Sequence, residues 1–516
     1  MIESSTAAGA IVPDIPVGAV PAAGRPAPEV TPPPEHPASG AQRIAQLMQL
    51  ATEHEQAGRL AEAEAVLRGV LAEAADHPPA LHLMGIVAFR TDRFGEAVRL
   101  MERSLALAPT EPVYYRNICE VYRVLGRFDE ALVAGRRAAA LAPDDLHCHH
   151  NLGVLHYHRL ELDAAIASGE RAIALGADFA GGHFGIAEAS LLRGDFARGW
   201  EEYEWRFKLA NAPQLLPPTE RPQWDGSPLG DGTLLLIADQ GYGDVIQFAR
   251  YIPWAAARCA KLAIACSGEL HPVIEQQAGE GLLFDHWERA PEFRAYCPLS
   301  GLPRLAGTRL DTIPAEIPYV RADPAKSAVW AERLSGLVPR GYRRIGIVWA
   351  GRPTHHNDRN RSTTLATFAP LAEIPGIALV SLQKGAAQAQ IGGYWGRAPL
   401  VNLGPELRDF GDTMAVLECL ERVVAVDTSV VHLAGAMGKA ASVMLPYAPD
   451  WRWLLDRTDS PWYPTLRLFR QGPDRSWEAV VGAIVKEISA PARPRRSRQR
   501  SPSQAALGAL PGLDHL

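Results

Sequence analysis

Long apolar runs are missing: no stretch of the 516 residues approaches the roughly 20 apolar positions that a membrane-spanning helix needs. The amino terminus also lacks the basic start and apolar core of a signal peptide, so the expectation is a cytoplasmic protein with no transmembrane segment, at most docking on a surface. C-x-x-C spacing is absent as well. The six cysteines, Cys119, Cys148, Cys259, Cys266, Cys297 and Cys419, are scattered, which argues against a disulfide framework or a cysteine zinc site. Nor is there an excess of charge. With 52 Lys+Arg against 58 Asp+Glu the net charge is -6, so bulk charge selects neither nucleic acid nor an anionic membrane. What the chain does have is 47% hydrophobic residues, enough for three or four domain cores, and 45 Gly with 42 Pro whose positions mark the divisions.

Residues 1–40 run through Pro, Ala, Gly and Glu, and cannot bury enough apolar area to offset their ordering entropy; they read as a disordered arm. Residues 489–516, with Arg493, Arg495, Arg496, Arg498 and Arg500 among Ser and Pro, read as a disordered basic tail. Between 41 and 210 the sequence is rich in Ala, Leu and Arg and repeats itself every 34 residues. Gly85, Cys119, Gly153 and Ala187 form one register, Phe94, Phe128, Leu162 and Phe196 a second, and Ala97, Ala131, Ala165 and Gly199 a third; Pro109 and Pro143 close two units. Small residues where helices cross, an aromatic plug and a closing Pro at this period resemble the tetratricopeptide repeat, which implies an α-solenoid of four or so helix pairs with a concave face. The unit around Leu60 and Ala63 is weaker and reads as a cap. His147, Cys148, His149, His150, His156 and His158 crowd together but lack the i, i+4 His pair that sets two imidazoles on one ion, so no metal site is expected.

Beyond a Pro-rich linker the texture changes to alternating strands and helices. Short apolar runs at 233–238, 262–266, 345–349, 378–382, 423–426 and 442–445 are of the kind buried on both faces of a parallel sheet, with a helix expected over 245–258. They divide into two Rossmann-like halves, 211–335 and 336–488. Ligands of such sheets bind outside the carboxyl ends of the strands, so the residues after each strand are the candidates. These are Gly241, Gly243 and Asp244; Gly351, Asn357, Arg359, Arg361 and Ser362; Gln383, Lys384 and Gly385; and Asp427, Thr428, Ser429 and His432. In the last group, hydroxyls and free N–H groups at a helix start suit a phosphate, and His432 would point the same way. Each group has a plainer reading: an N-cap for Asp427-Thr428-Ser429, a tight turn for Gly241 and Gly243, solvated loop charges for Arg359 and Arg361. Trp451 and Trp453 read as packing rather than a sugar platform.

Gly243-Asp244-Val245-Ile246 and the run from Asp427-Thr428-Ser429 to His432-Leu433-Ala434-Gly435-Ala436 resemble the two-Rossmann-domain (GT-B) glycosyltransferases, and within them the heptosyltransferase-like (glycosyltransferase family 9-like) proteins. Preceding repeats, with Trp349-Ala350-Gly351, Ser381-Leu382-Gln383-Lys384-Gly385 and Pro461-Trp462-Tyr463-Pro464, look like the bacterial tetratricopeptide-repeat members of that group. The resemblance implies a hexosyl- or heptosyltransferase-like enzyme with an acceptor side at 211–335 and a nucleotide-sugar side at 336–488. It implies Asp244 as general base, with Thr428, Ser429 and His432 on the nucleotide diphosphate and Asp427 ordering their loop. Arg359 or Arg361 falls near a phosphate contact, and Gln383 and Lys384 near the base or ribose. One base opposite one leaving-group site points to inversion. The absence of Asp-x-Asp points to a reaction without a divalent ion or other cofactor, the nucleotide-diphosphate sugar being the donor substrate. The repeats would recruit a protein or glycan acceptor.

The alternative is a catalytically inactive repeat scaffold for protein–protein interaction. A dehydrogenase or epimerase is disfavoured, because no G-x-G-x-x-G follows the first strand.

Overall fold

The computed structural model describes residues 40–209, 216–217, 219–355 and 357–490. The arm and tail expected at the two ends therefore lie outside the described residues, apart from Gly40, which opens the first helix, and Ser489 and Ala490. Among the described residues ten helices come first: α1 (Gly40–Gln56), α2 (Leu60–Glu73), α3 (Pro78–Arg90), α4 (Phe94–Leu107), α5 (Pro112–Val124), α6 (Phe128–Leu141), α7 (Leu146–His158), α8 (Leu162–Leu175), α9 (Ala180–Arg193) and α10 (Phe196–Tyr203). They pair as consecutive hairpins, α1 with α2 through α9 with α10, so the weak first unit is a full hairpin.

The 34-residue registers are the places where these helices touch. A Cβ on Gly85 would lie 2.7 Å from Met101 Cγ, one on Gly153 3.3 Å from the Ala165 carbonyl oxygen, and one on Gly199 2.6 Å from the Leu191 side chain. A side chain at Gly85 or Gly199 would require Met101 or Leu191 to shift, and one at Gly153 would sit tightly against the Ala165 carbonyl. A further register is hidden in the sequence. Gly58, Asp92, Gly126, Leu160 and Gly194 reverse the chain between the helices of each hairpin, with φ of 74°, 59°, 74°, 61° and 91°. Only some of the five are glycine, so composition conceals that every hairpin turns through a left-handed residue.

Two all-parallel sheets follow. The first contains β1 (Thr233–Ile237), β2 (Lys261–Ala265), β3 (Leu282–Phe284) and β4 (Ala295–Pro298) in the order β3-β2-β1-β4. The second contains β5 (Arg343–Val348), β6 (Ile377–Ser381), β7 (Leu400–Asn402), β8 (Arg422–Val426), β9 (Ala441–Leu445) and β10 (Leu466–Arg470) in the order β10-β9-β8-β5-β6-β7. Numbered from β5, that is the 3-2-1-4-5-6 order of a doubly wound sheet. The expected strands are all present, whereas β3, β4, β7 and β10 escape the apolar-run criterion: β3 and β7 are three residues long, β4 ends in Pro298, and β10 carries Arg467 and Arg470.

The helices of this part are α11 (Tyr242–Phe248), α12 (Ile252–Ala256), α13 (His271–Ala278), α14 (Leu302–Leu305), α15 (Pro324–Leu337), α16 (Asp358–Arg361), α17 (Ala369–Ala372), α18 (Phe410–Glu418), α19 (Ser429–Ala436) and α20 (Trp477–Ser489). The helix expected over 245–258 is instead two short ones: α11 starts early enough to put Asp244 in its first turn, and a 3-10 turn at Ala249–Tyr251 separates it from α12, which carries Pro253.

The solenoid is fused to the sheets. α9 packs on the 3-10 turn Trp451–Trp453 that follows β9, and Phe196, Trp200, Trp451 and Trp462 interlock beside it. Ring centroids are 5.2 Å apart for Trp200 and Trp451 and 6.1 Å for Phe196 and Trp462. The Trp200 indole N–H also donates to the Thr308 carbonyl at 3.0 Å. Farther along, the turn edge of the hairpins meets the second sheet's half: Arg475 lies 3.9 Å over the Phe128 ring, and the Tyr157 hydroxyl donates to the Pro449 carbonyl at 3.1 Å. Truncating a buried Trp costs about 3–5 kcal/mol. Trp200→Ala is therefore expected to lower the thermal midpoint and to split the calorimetric melt into separate solenoid and α/β transitions; a single transition at the wild-type temperature would contradict the shared core.

Candidate functional site

Two loops meet where the sheets face each other. After β1 the chain passes Asp239 and Gln240 into α11, with Gly241 at the N-cap position; after β8 it passes Asp427 into α19, with Thr428 at the N-cap position. The two helices pack directly on each other across the halves. Gly243 permits this, because a Cβ there would lie 2.8 Å from His432 Cδ2. Its role is close approach between helices rather than the tight turn that a Gly pair suggests; Gly241 lies under Asp244, its Cβ position 3.1 Å from Asp244 Oδ2.

His432 is only 4% exposed, with Nδ1 3.1 Å from the Tyr463 hydroxyl and Nε2 3.6 Å from Asp427 Oδ1. Both ring nitrogens face groups of the protein, so His432 orients Asp427 rather than presenting a free N–H to a phosphate. Burial pushes the Asp427 carboxyl up, but the His432 interaction and the Arg361 charge outweigh it and hold that carboxyl well below the usual range. Thr428 has an N-cap backbone yet makes no capping bond, and its buried Oγ1 has no hydrogen-bond partner among the described residues. Ser429 follows as the first residue of α19.

Asp244 is held by Arg452, whose Nη2 donates to its Oδ1. The same guanidinium grips Asp450 through Nη1, at 2.8 and 2.9 Å to the two carboxylate oxygens. Burial raises the Asp450 carboxyl against the pull of Arg452. The third wall is the solenoid. Glu188 of α9 faces Asp450 and Arg452, and burial, reinforced by Asp450, pushes its carboxyl up to about 8. Gln240 donates to the Tyr203 hydroxyl at 2.9 Å, and Arg206 lies 3.7 Å from Asp239.

The remaining candidates separate. Arg361 stays near Asp427, seated over Gly351, where a Cβ would lie 2.6 Å from Arg361 Nη2. Arg359 points to the solenoid, paired with Asp92 at 2.8 Å and 4.6 Å over the Phe94 ring, and does not join the cluster. Gln383 is buried and spends its amide on the protein: Oε1 accepts from the Trp349 and Ala350 N–H groups, each at 3.0 Å, and Nε2 donates to the Ala350 and Lys384 carbonyls, each at 2.9 Å. The side chain expected near a nucleotide base thus shapes the loop after β5. Lys384 is exposed and donates to the Leu407 carbonyl at 2.6 Å. Trp451 and Trp453 are buried, as packing residues should be.

The histidines of α7 have separate partners, His149 on the Pro143 carbonyl at 2.9 Å and His156 on Glu161 at 2.5 Å, and no group of three His, Cys, Asp or Glu able to hold a metal occurs among the described residues. Surface grooves of about 370 and 500 Å³ lie where the solenoid meets residues 309–311 and 454–457, away from Asp244. Among the described residues no helix is long and apolar enough to cross a membrane.

Sequence reasoning missed Asp450, Arg452 and Glu188. The strand-end rule, applied to the strand ending at Leu445, would have reached the first two; nothing local in α9 distinguishes Glu188 from a solvated glutamate.

Residues 55–118 match the tetratricopeptide repeat family. Protein FlbA of Caulobacter vibrioides is 27% identical over 338 residues, an alignment covering 60% of this chain and 55% of FlbA. The chain thus spans about half the length of that curated relative. Among solved structures, MamA of Desulfovibrio magneticus RS-1 is 18% identical, the match covering 33% of this chain and 97% of that one with a TM-score of 0.30. Pseudomonas aeruginosa pilF is 17% identical over 32% of this chain and 75% of its own, with a TM-score of 0.31. Repeats of this class stack into extended concave surfaces that bind proteins.

Glu188 supplies a pH test. Its folded value of about 8 lies above the ordinary 4.5, so the folded protein holds this proton more tightly than the unfolded chain. The contribution to stability is complete below about pH 4.5 and is lost as pH rises through about 8. The thermal midpoint of Glu188→Gln, relative to wild type, is expected to climb across that window; a pH-independent difference would contradict the assignment.

Proposed function

We propose that the chain is a GT-B-type glycosyltransferase that moves a sugar from a nucleotide-diphosphate donor to a protein or glycan acceptor recruited by the repeats. The observation that carries this reading is the packing of α11, whose first turn holds Asp244, directly on α19, with the Thr428 hydroxyl buried at the start of α19 without a partner among the described residues. Buried hydroxyls are nearly always hydrogen-bonded, and a helix start is a ready site for an anion. Asp244 accepts the acceptor hydroxyl's proton as that oxygen bonds to the anomeric carbon. The bond from that carbon to the diphosphate breaks with its electron pair, and the nucleoside diphosphate departs. Attack opposite the leaving group inverts the centre. The growing negative charge is met by the N–H groups of α19 and by the nearby guanidinium of Arg361, in a chain without Asp-x-Asp.

A second reading, a scaffold without activity, is favoured by one observation: His432 and Gln383 are already spent on internal contacts. Thermal stabilisation by a panel of nucleotide sugars separates the two, since a ligand of the folded state raises its midpoint by mass action; no shift with any donor favours the scaffold. Asp244→Asn is expected to abolish transfer while donor binding persists, and full activity in that variant would refute the base assignment. Thr428→Val removes an unsatisfied hydroxyl at constant shape, so the ligand-free midpoint should hold or rise while donor affinity falls about tenfold, roughly 1.4 kcal/mol. A lower midpoint with unchanged donor affinity would make Thr428 purely structural.

A further inference from the structure

Arg452 is placed to do more than balance charge. The residue is 6% exposed and its guanidinium spans two carboxylates, Asp450 on Nη1 and Asp244 on Nη2, while it stacks 4.3 Å from the Trp451 ring. Its Nε–H is buried and has no acceptor among the described residues, so one directed donor is unused. The next residue, Trp453, lies 5.4 Å from the His432 ring on α19, which brings the Arg452 turn to the helix whose amino end holds the unpartnered Thr428 hydroxyl.

Asp244 has little freedom in this arrangement. One oxygen is on Arg452 and the other lies over the Gly241 turn. With Oδ1 turned onto the guanidinium, that oxygen is not free to accept a hydrogen bond from an acceptor hydroxyl. A diphosphate at the start of α19 offers more negative charge and more acceptor oxygens than one carboxylate, and guanidinium forks suit phosphate as well as carboxylate geometry. Asp450 would retain the Nη1 side of the fork while Nη2 and the spare Nε–H turn to the phosphate.

We propose that Arg452 is a positioning residue that holds Asp244 until the diphosphate of the donor draws its guanidinium away, so that donor binding releases the base. The proposal rests on the glycosyltransferase reading. It makes the site ordered: with no donor, Asp244 stays paired and the acceptor hydroxyl keeps its proton.

Competition between Asp244 and a diphosphate for one guanidinium has a thermodynamic signature. Asp244→Asn removes the competitor, so the anion no longer displaces a carboxylate and binds more tightly, but only while Arg452 is present. General repulsion between Asp244 and the anion would also tighten binding on that substitution, but would do so with or without Arg452. The experiment is a double-mutant cycle by titration calorimetry on the full chain, using ADP, GDP, UDP and inorganic pyrophosphate as probes. Asp244→Asn is expected to bind the best probe about three- to tenfold more tightly than wild type, and the gain should vanish between Arg452→Met and Asp244→Asn/Arg452→Met. A gain that persists without Arg452, or no gain in Asp244→Asn, overturns the proposal while leaving the glycosyltransferase reading standing. No binding of any probe to any variant overturns both. If Arg452→Met fails to fold, Arg452→Lys keeps the charge without the fork and is expected to cut the gain by at least half; an undiminished gain overturns the proposal equally.

Discussion

A solenoid has an open face at its last repeat, and that face must be covered or made polar. Here it is covered by the sheets. Phe196 and Trp200 are apolar enough to need a partner, and Trp451 and Trp462 supply one, so a single core runs from Leu162 on α8 through Leu236 of the first sheet to Trp462, in the connection between β9 and β10 of the second. Side chains on α9 and α10 consequently hold fixed positions beside Arg452 and Asp244 instead of sampling the range a linker would allow. Glu188 belongs to the site because of packing several residues away from it, and Tyr203 because its own ring packs on Trp200 and Trp451.

Placing several charges in a partly buried setting requires that they be shared. Asp450, Glu188 and Asp427 gather with Asp244 around Arg452 and Arg361. The surroundings sort them. Asp427, facing His432 and Arg361, is driven towards the ionised form, whereas burial drives Glu188 and Asp450 towards the protonated one. Carboxyls pushed apart in this way give a site both a fixed negative charge, at Asp427, and one group, Glu188, able to carry a proton near neutrality.

What could be read from the sequence followed physical periodicity. Three registers of the repeat were visible because small and aromatic residues are chosen by close contact, but the left-handed turn register was not, since Asp92 and Leu160 occupy positions that glycine fills elsewhere. Buried parallel strands were visible as apolar runs; β10 was hidden because Arg467 and Arg470 break its run. At the site, Asp244 and the run from Asp427 to His432 were legible from their place after a strand and are brought together. Arg359 and Gln383 were not separable from them by sequence, because what distinguishes them is a partner far along the chain or across the sheet: Asp92 for one, the N–H groups of Trp349 and Ala350 for the other.

The position of Asp244 depends on α11 being fixed at both ends. At its first turn Arg452 reaches across from the second half; just past its last turn Arg250 reaches the opposite way, donating to the Pro314 and Trp462 carbonyls at 2.8 and 2.9 Å and to the Gln247 carbonyl at 2.9 Å. Rings of Tyr319, Trp462 and Tyr463 surround that second guanidinium at 5.0, 5.4 and 4.8 Å. Lysine would serve at neither place, because each site uses several N–H groups in fixed directions on a plane that also meets an aromatic ring. Moving the short helix α11 along its axis would break directed bonds at both ends and shift Gly243 from its close approach to the His432 ring. The placement of Asp244 beside α19 is therefore set by two arginines and a missing side chain, and not by the sheet alone.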